Sequence, residues 1–592
     1  MTSIADREFS VLGTRPIRHD GLDKVVGRAV YGADIKLAGM VHGAVLRSPY
    51  PHAKLLSIDT SKAEIIPGVL AVVTGKDLPV AQSKLLDLTE EITTARFASD
   101  RVLAGEKALF RGHPVAAVAA VDLNTAQEAL KSIEVSYEVL PAVFSAADAM
   151  APDAPILHEH LVGKDLGEKI TGTNVAEHMR QDAGDVDAAF AIADLVVDRT
   201  FHIPSAHQGY IEPQNATAFW GQDGKITVWT STQGPFPLRG AVASILDVPM
   251  SDIKVVPLEI GGGFGGKINA YLEPVAALLS KKCGRPVKIV MDRRSVFEAT
   301  GPAPGGTVRV KMGAKSDGTI VAAQSEIHYG AGAYPGASIN GASTCMFACY
   351  RIENVRIDAY DVVINMSKTA AYRAPGTPQA TFASECVVDE LAAGLGIDPI
   401  EFRLKNAVSE GDRRADGMAY PAIGYVETLE AIKYSDHYQS PIGEPGEPTK
   451  KRGRGLASGF WQGAGNRSTV TLSVTDDGDV MLVEGNTDIG GTRTTIAMQA
   501  AEILGLPAED VHPSVVDTDS VGYTDLTAGS RTTYATGAAA VKAAEQVIKE
   551  MTGRVAMIWE TDAENIEFSR GTFSNAIAGD QTMTFKEVVS QL

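Results

Sequence analysis

Residues 255–280 read VVPLEIGGGFGGKINAYLEPVAALLS: a strand pattern, a seven-residue block with five glycines, then an apolar helix pattern. Gly261, Gly263 and Gly266 satisfy the G-x-G-x-x-G fingerprint of dinucleotide-binding folds, but so glycine-rich a block satisfies many templates. The phosphate-loop pattern nearly fits as well, ending in Gly266-Lys267. Ile268, however, stands where a magnesium-binding Ser or Thr belongs. In physical terms, bare backbone N–H groups in such a block can approach an anionic or oxo ligand closely. A purely structural turn and a dinucleotide-binding dehydrogenase both stay open at this point.

Two further strand-to-helix turns share the chemistry. In VEGNTDIGGTRTTIAMQAAEILGLP (483–507), Gly490 and Gly491 precede Thr492, Thr494 and Thr495. In DLTAGSRTTYATGAAAVKAAEQVIKEM (525–551), Gly529, Ser530, Thr532 and Thr533 introduce a helix. A helix start offers unpaired N–H donors and the positive end of its dipole. One such turn is ordinary capping. Two beside a glycine-rich loop suggest a large anionic cofactor wrapped by several segments.

Composition narrows the class. The chain has 592 residues, is 44% hydrophobic and 21% charged, and carries a formal charge of −19. It is therefore globular and not disordered or fibrous. So acidic a surface repels phosphate backbones and anionic lipid, so neither nucleic acid nor membrane is an expected partner. The four cysteines (Cys283, Cys345, Cys349, Cys386) form no metal or cluster spacing and read as buried, inert thiols. With no signal-peptide pattern, the expected setting is cytoplasmic.

The expected organisation is mixed α+β and α/β. Residues 1–20 form an extended lead-in, 21–150 a first domain, 151–435 a second, 436–453 a linker or exposed loop, and 454–592 a third. MVHGAVLRS, GVLAVVTG and HPVAAVAAV read as strands of the first domain, and LNTAQEALK as a helix capped by Asn124 with Gln127. KITVWTST and DIKVVPLEI are strands of the second, with helices LRGAVASILDV and PQATFASECVVDELAAGLG, the latter closed by Gly396.

Together the motifs GTRPIRHDGLDKVVGRAVYGADI (13–35), MVHGAVLRSPYPHAKLLSID (40–59), STQGPF (231–236), GGGFGGK (261–267) and AYRAPGTPQATFASE (371–385), followed by the two later turns, resemble the molybdenum-cofactor-binding large subunit of the xanthine oxidase/aldehyde oxidoreductase family. The resemblance covers nearly the whole chain. It implies an N-terminal α/β-hammerhead domain followed by two molybdopterin-binding α/β domains, the last incomplete. Gln233 matches the glutamine that approaches an oxo ligand of molybdenum. Gly263, Phe264 and Gly265 match the loop whose backbone faces the metal, and Arg373 a further backbone position beside it. Gly529 and Ser530 match small residues packed on metal and pterin; Gly490, Gly491 and Thr532 match pterin-dithiolene and phosphate contacts. Of these, Gln233, Phe264, Arg373 and Gly529 would surround the metal without bonding it. The implied cofactor is molybdopterin in its cytosine dinucleotide form. The implied chemistry is hydroxylation of an electron-poor carbon with water as oxygen source, the electrons leaving through [2Fe–2S] and FAD groups on partner subunits.

Several positions depart from the family pattern. Ile268 replaces the glutamate of purine-hydroxylating members, Gly341 aligns with their arginine, and Pro375 replaces an aromatic. These substrate-facing positions favour an aldehyde or a plain N-heteroaromatic ring over xanthine. Ala374 follows Arg373 where carbon monoxide dehydrogenases carry cysteine. The family's catalytic glutamate is expected beyond Leu592, so the base would come from a small additional chain or a missing segment. A non-catalytic molybdopterin-binding relative is the alternative. Glu212 and His207 read as structural.

Overall fold

The computed structural model describes residues 8–80, 85–87 and 92–592. Two seven-stranded sheets dominate. The first runs, in spatial order, Ile253–Pro257, Ile226–Thr230, Asn215–Trp220, Val287–Val290, Val41–Arg47, Pro114–Ala120 and Val69–Thr74. Val41–Arg47 pairs in parallel with Val287–Val290. Strands from either side of the expected boundary at residue 150 therefore share one sheet, and that boundary is a crossing of the chain without a break in the ladder.

Pro114–Ala120 shows why this sheet is central. Every residue of it is buried, the continuous apolar run of a strand covered on both faces. Ala117 and Ala119 face a core with Val41, Val73 and Leu279. Ala116 and Val118 face another with Ala129 and Ile133. Period two thus delivers one strand to two cores, and alanine lets helices approach both. The helix on the second face, Leu123–Lys131, begins earlier than expected. Its cap is Asp122, whose carboxylate accepts the Thr125 N–H at 2.8 Å, and Asn124 lies inside the first turn. Asp and Asn cap equally well, and here the earlier residue has the extended backbone a cap requires.

The second sheet (Glu168–Thr171, Val162–Asp165, Val175–Ala183, Val355–Val363, Ile320–Gly332, Gly306–Ala314, Leu195–Ile203) packs against helix Thr377–Leu395, which Gly396 closes at φ +68°. The last region is smaller. A three-stranded sheet, Val470–Val474, Val480–Glu484 and Val511–Val515, carries helix Thr492–Leu504 as a parallel crossover, with helix Gly537–Ile558 beside it. The architecture is the mixed α/β arrangement expected.

Between helix Asp436–Gln439 and the strand at Val470 the chain has no regular structure. Its second half is nonetheless fixed. Ser458 donates its N–H to Glu385, and fully buried Arg403 bridges Glu385, Asp389 and the Leu456 carbonyl. The lead-in is docked as well: Glu502 accepts the N–H groups of Ser10, Val11 and Leu12 at 3.1, 2.6 and 3.0 Å.

Candidate functional site

The strand Ile253–Pro257 delivers the glycine-rich loop to the C-terminal edge of its sheet, where α/β proteins place ligands. No helix opens directly after Gly266; the next begins at Glu273. The dinucleotide fingerprint therefore lacks the helix N-terminus that would hold a pyrophosphate. The glycines instead permit close backbone approach. A β-carbon on Gly265, at φ +106°, would lie 2.3 Å from the Ala371 carbonyl oxygen. One on Gly263 would lie 2.6 Å from Gln233 Oε1. Arg373 donates its N–H to the Phe264 carbonyl at 2.9 Å, so the loop and the YRAPG segment are joined backbone to backbone.

Gln233 is the hub. Its Oε1 accepts the N–H groups of Gly265 (2.8 Å) and Lys267 (3.2 Å), and its Nε2 donates to the Thr527 carbonyl at 3.0 Å. Thr527 N–H returns a bond to the Gln233 carbonyl at 2.8 Å. One buried amide side chain therefore ties the first glycine loop to the third, and Nε2 keeps a second N–H for a ligand.

Beyond Thr527, Gly529 and Ser530 turn the chain at φ +59° and +56°. Arg531, almost fully buried, fixes this turn by donating to the carbonyls of Gly465, Arg467, Asp525 and Leu526. Thr532 is buried, and its Oγ1 has no hydrogen-bond partner among the described residues. In the second turn, Asp488 Oδ1 accepts from Gly491 N–H and Thr492 Oγ1, both at 3.0 Å, with Gly490 beside them at φ +75°.

These segments enclose a cavity of about 720 Å³, within the range of cofactor sites. Gln233, Phe264, Gly265, Arg373, Pro375, Gly490, Gly529, Ser530 and Thr532 line it. Gly263, Ile268, Gly341 and Gly491 do not. Gly263 lies behind the loop against Gln233, Ile268 is buried, Gly341 packs on the Pro375 carbonyl, and Gly491 lies under Arg18. Trp461, Thr527 and Arg531 line it without having been singled out in the sequence. The one usable signal was that tryptophan is rare here, four in the chain. Phe264, Ala374 and Ser530 are non-glycine residues at positive φ, and all three line the cavity. Strained backbone gathered at one place marks a working site.

The lining residues are chemically suited to a group that brings its own metal ligands. Among the described residues no His, Cys, Asp and Glu cluster could hold a metal ion, and the lining contains no carboxylate or imidazole. What it offers is bare glycine backbone, the spare Gln233 N–H and the orphaned Thr532 hydroxyl, as oxo and phosphate oxygens require.

The neighbouring polar residues are occupied elsewhere. Glu212 accepts from Gly261 N–H (2.7 Å), Gly32 N–H (3.2 Å) and Lys267 Nζ (2.8 Å). Lys267, the would-be phosphate lysine, is buried on that carboxylate; burial lowers its pKa against the opposing pull of Glu212. His207 bonds Thr300 Oγ1 at 2.8 Å, and burial lowers it to about 4. Burial raises all four thiols, Cys349 to about 12, which keeps them protonated and inert.

Fold and cavity together describe an oxidoreductase subunit built around a molybdopterin. Residues 168–407 and 427–592 match the molybdopterin cofactor-binding domain, and residues 26–141 match the aldehyde oxidase and xanthine dehydrogenase a/b hammerhead domain. The chain belongs to the molybdenum hydroxylase family, among its molybdenum-binding large subunits. It is 34% identical over 431 residues to the nicotinate dehydrogenase large molybdopterin subunit of Eubacterium barkeri, covering 72% of this chain and 96% of that one. It is 31% identical over 576 residues to the xanthine dehydrogenase molybdenum-binding subunit of Escherichia coli O157:H7, covering 94% and 74%. The structure of quinoline 2-oxidoreductase from Pseudomonas putida 86 superposes with a TM-score of 0.86 at 25% identity, covering 98% of this chain and 76% of that one.

Proposed function

We propose that this subunit hydroxylates an electron-poor carbon of an aldehyde or N-heteroaromatic ring, with its electrons passing to partner subunits that carry [2Fe–2S] clusters and FAD. The observation that carries this reading is the cavity into which three glycine turns and Gln233 converge. Relatives named for nicotinate and quinoline, both N-heteroaromatic, support a ring substrate. Bound here, molybdopterin in its cytosine dinucleotide form would supply two-electron redox chemistry with water as the oxygen source.

The chain's own residues bind, orient and exclude. Gln233 would offer its spare N–H to the cofactor, with Phe264, Arg373 and Gly529 lining the cavity around it. Gly490, Ser530 and Thr532 would receive pterin and phosphate, with Gly491 behind them under Arg18. Pro375 and Trp461 wall the cavity where the substrate would lie, while Ile268 and Gly341 shape it from behind. Where purine-hydroxylating members carry a glutamate, an arginine and an aromatic, this chain has Ile268, Gly341 and Pro375, none of them with a polar side chain to pair a purine's edges. The lining holds no general base, so the glutamate that takes the proton reaches the cavity from another segment or chain. The absence of a base in the lining equally favours a second reading, a cofactor-carrying subunit without turnover.

Native mass spectrometry of the tagged chain purified from its own host tests both. A heavier assembly with molybdenum, iron–sulfur and flavin that oxidises aldehydes or ring nitrogen heterocycles supports the first. A molybdenum-bearing assembly that turns nothing over supports the second, and a lone chain without molybdenum overturns both.

A further inference from the structure

Six side chains form a closed ring of alternating charge beneath the cavity. Arg18 forks onto Asp20 at 3.0 and 2.7 Å, and Asp20 pairs with Lys24. Lys24 meets Glu259 at 3.1 Å, and Glu259 meets Arg493 at 2.7 Å. Arg493 Nε meets Asp488 at 3.1 Å without hydrogen-bond alignment, and Asp488 returns to Arg18 at 3.9 Å. The Asp488 side chain is fully buried and that of Asp20 is 3% exposed. Burial alone would raise Asp20, yet hydrogen bonds from Arg18 and Lys24 hold it well below the usual carboxylate range. Each ion has two opposite neighbours, the condition under which buried charges hold a geometry.

The ring joins three distant pieces of chain at the site. Arg18 and Asp20 belong to the docked lead-in, and Lys24 to the short helix Gly21–Val25 that follows it. Glu259 lies two residues before the GGGFGGK loop. Asp488 and Arg493 flank the Gly490–Gly491 turn, and Asp488 also caps that turn through Gly491 and Thr492. The Arg18 guanidinium crosses this turn. A β-carbon on Gly491 would lie 3.3 Å from its Nε and Cζ, so glycine at 491 makes the room that Arg18 fills.

We propose that Arg18 is a positioning residue for the cofactor, lying across the bare Gly491 and, through the ring, holding the 488–492 turn in register with the Gly263–Gly265 loop. Among the described residues neither turn is held to the other by a direct bond of its own backbone; the Arg493–Glu259 pair links them through side chains, and the Arg18–Asp20–Lys24 arm closes the ring around that pair. This inference rests on the function proposed above, because the turn it positions is the one read as a pterin and phosphate contact.

The test is the rate at which molybdenum leaves the holoenzyme purified from its own host, measured by metal analysis after gel filtration at intervals. R18A is expected to lose molybdenum about tenfold faster than the parent. R18K, which keeps the charge and loses the fork, falls between with the Tm of the cofactor-free chain at the parent value, whereas R18A, which leaves buried Asp20 and Asp488 each one cation short, also lowers that Tm. D20N, which leaves Arg18 in place but removes its anchor, is expected to behave as R18A does. Loss at the parent rate in both R18A and D20N overturns the inference alone, as does loss at the parent rate in R18K, the variant whose cofactor-free chain keeps the parent Tm. A parent enzyme that never contains molybdenum overturns the functional reading and this inference with it.

Discussion

Gly265 and Gly490 both sit at positive φ, but only Gly265 is pressed against another backbone. At Gly490 a β-carbon would meet nothing within 4 Å, so alanine there costs only the left-handed backbone, about 1 kcal/mol. At Gly265 it would also have to displace the Ala371 carbonyl, a backbone atom fixed by the YRAPG segment. G265A is therefore expected to cost about 2–4 kcal/mol in urea unfolding, against about 1 for G490A. Equal losses would mean the close approach is not real. Gln233 carries a different kind of constraint, since its amide satisfies two donors and one acceptor on separate loops. Q233A leaves those groups unpaired at about 1–3 kcal/mol each, and Q233E keeps the acceptors while placing a carboxylate oxygen against the Thr527 carbonyl. If Gln233 is the hub described, both variants lower bound molybdenum, and Q233E does so more strongly above the carboxylate pKa than below it. Metal content of each variant, purified at acid and neutral pH, checks this.

At the scale of elements, the segment leading into the Val470 strand does what its sequence does not announce. It has no periodicity, yet it carries Trp461 to the cavity because Glu385 and Arg403 clamp it at Ser458 and Leu456. R403M would strand the Glu385 carboxylate in the interior, and is expected to cost about 3–5 kcal/mol. E385Q should cost less and release the segment selectively, seen as faster proteolysis between 454 and 469 with the Tm little changed. Unchanged proteolysis would show that the segment is held by other contacts. The contrast explains what the sequence could reveal. The glycine turns were legible because a positive φ or a backbone–backbone approach demands a residue type, and strands such as Pro114–Ala120 were legible by period. Trp461 and Arg531 were not, since Trp461 is placed by Glu385 and Arg403 and Arg531 in part by the Gly465 and Arg467 carbonyls, all more than fifty residues away. Ile268 and Gly341 were expected to face the cavity, but a motif gives order along the chain and not which side of a loop looks inward. The helix cap moved from Asn124 to Asp122 for a related reason: two equally good caps stood close together, and backbone conformation decided.

For the whole molecule, pH reports on how the last sheet is coupled to the ring. Glu484 ends the Val480–Glu484 strand fully buried, and neither carboxyl oxygen has a hydrogen-bond partner among the described residues. Burial raises it to about 8, with Asp488 adding to the rise and Arg493 opposing it. A folded-state pKa above the unfolded one means the folded chain holds the proton more tightly. Stability is then greatest at low pH and falls as pH rises from the ordinary glutamate range to about 8, levelling off above. Asp361, raised to about 6 by burial, contributes a slope of the same sign, but its own is complete by about pH 6. Between pH 6 and 8 the Glu484 slope, about 1.4 kcal/mol per pH unit at most, is read as the difference between the parent and E484Q, because Asp361 and the histidines that burial lowers titrate alike in both. In urea unfolding the parent is expected to lose about 2 kcal/mol across that interval. E484Q, which keeps the shape and cannot ionise, should lose little there and exceed the parent above pH 8. Below pH 6 the variant should lose only the part of the slope that Glu484 contributes and keep the part that belongs to Asp361. An identical decline in both proteins between pH 6 and 8 would place the titrating group elsewhere. A gain in E484Q confined to high pH would instead show that a neutral carboxyl is part of what keeps the charged ring beside it balanced, because an ionised Glu484 would add a fourth negative charge to three cations.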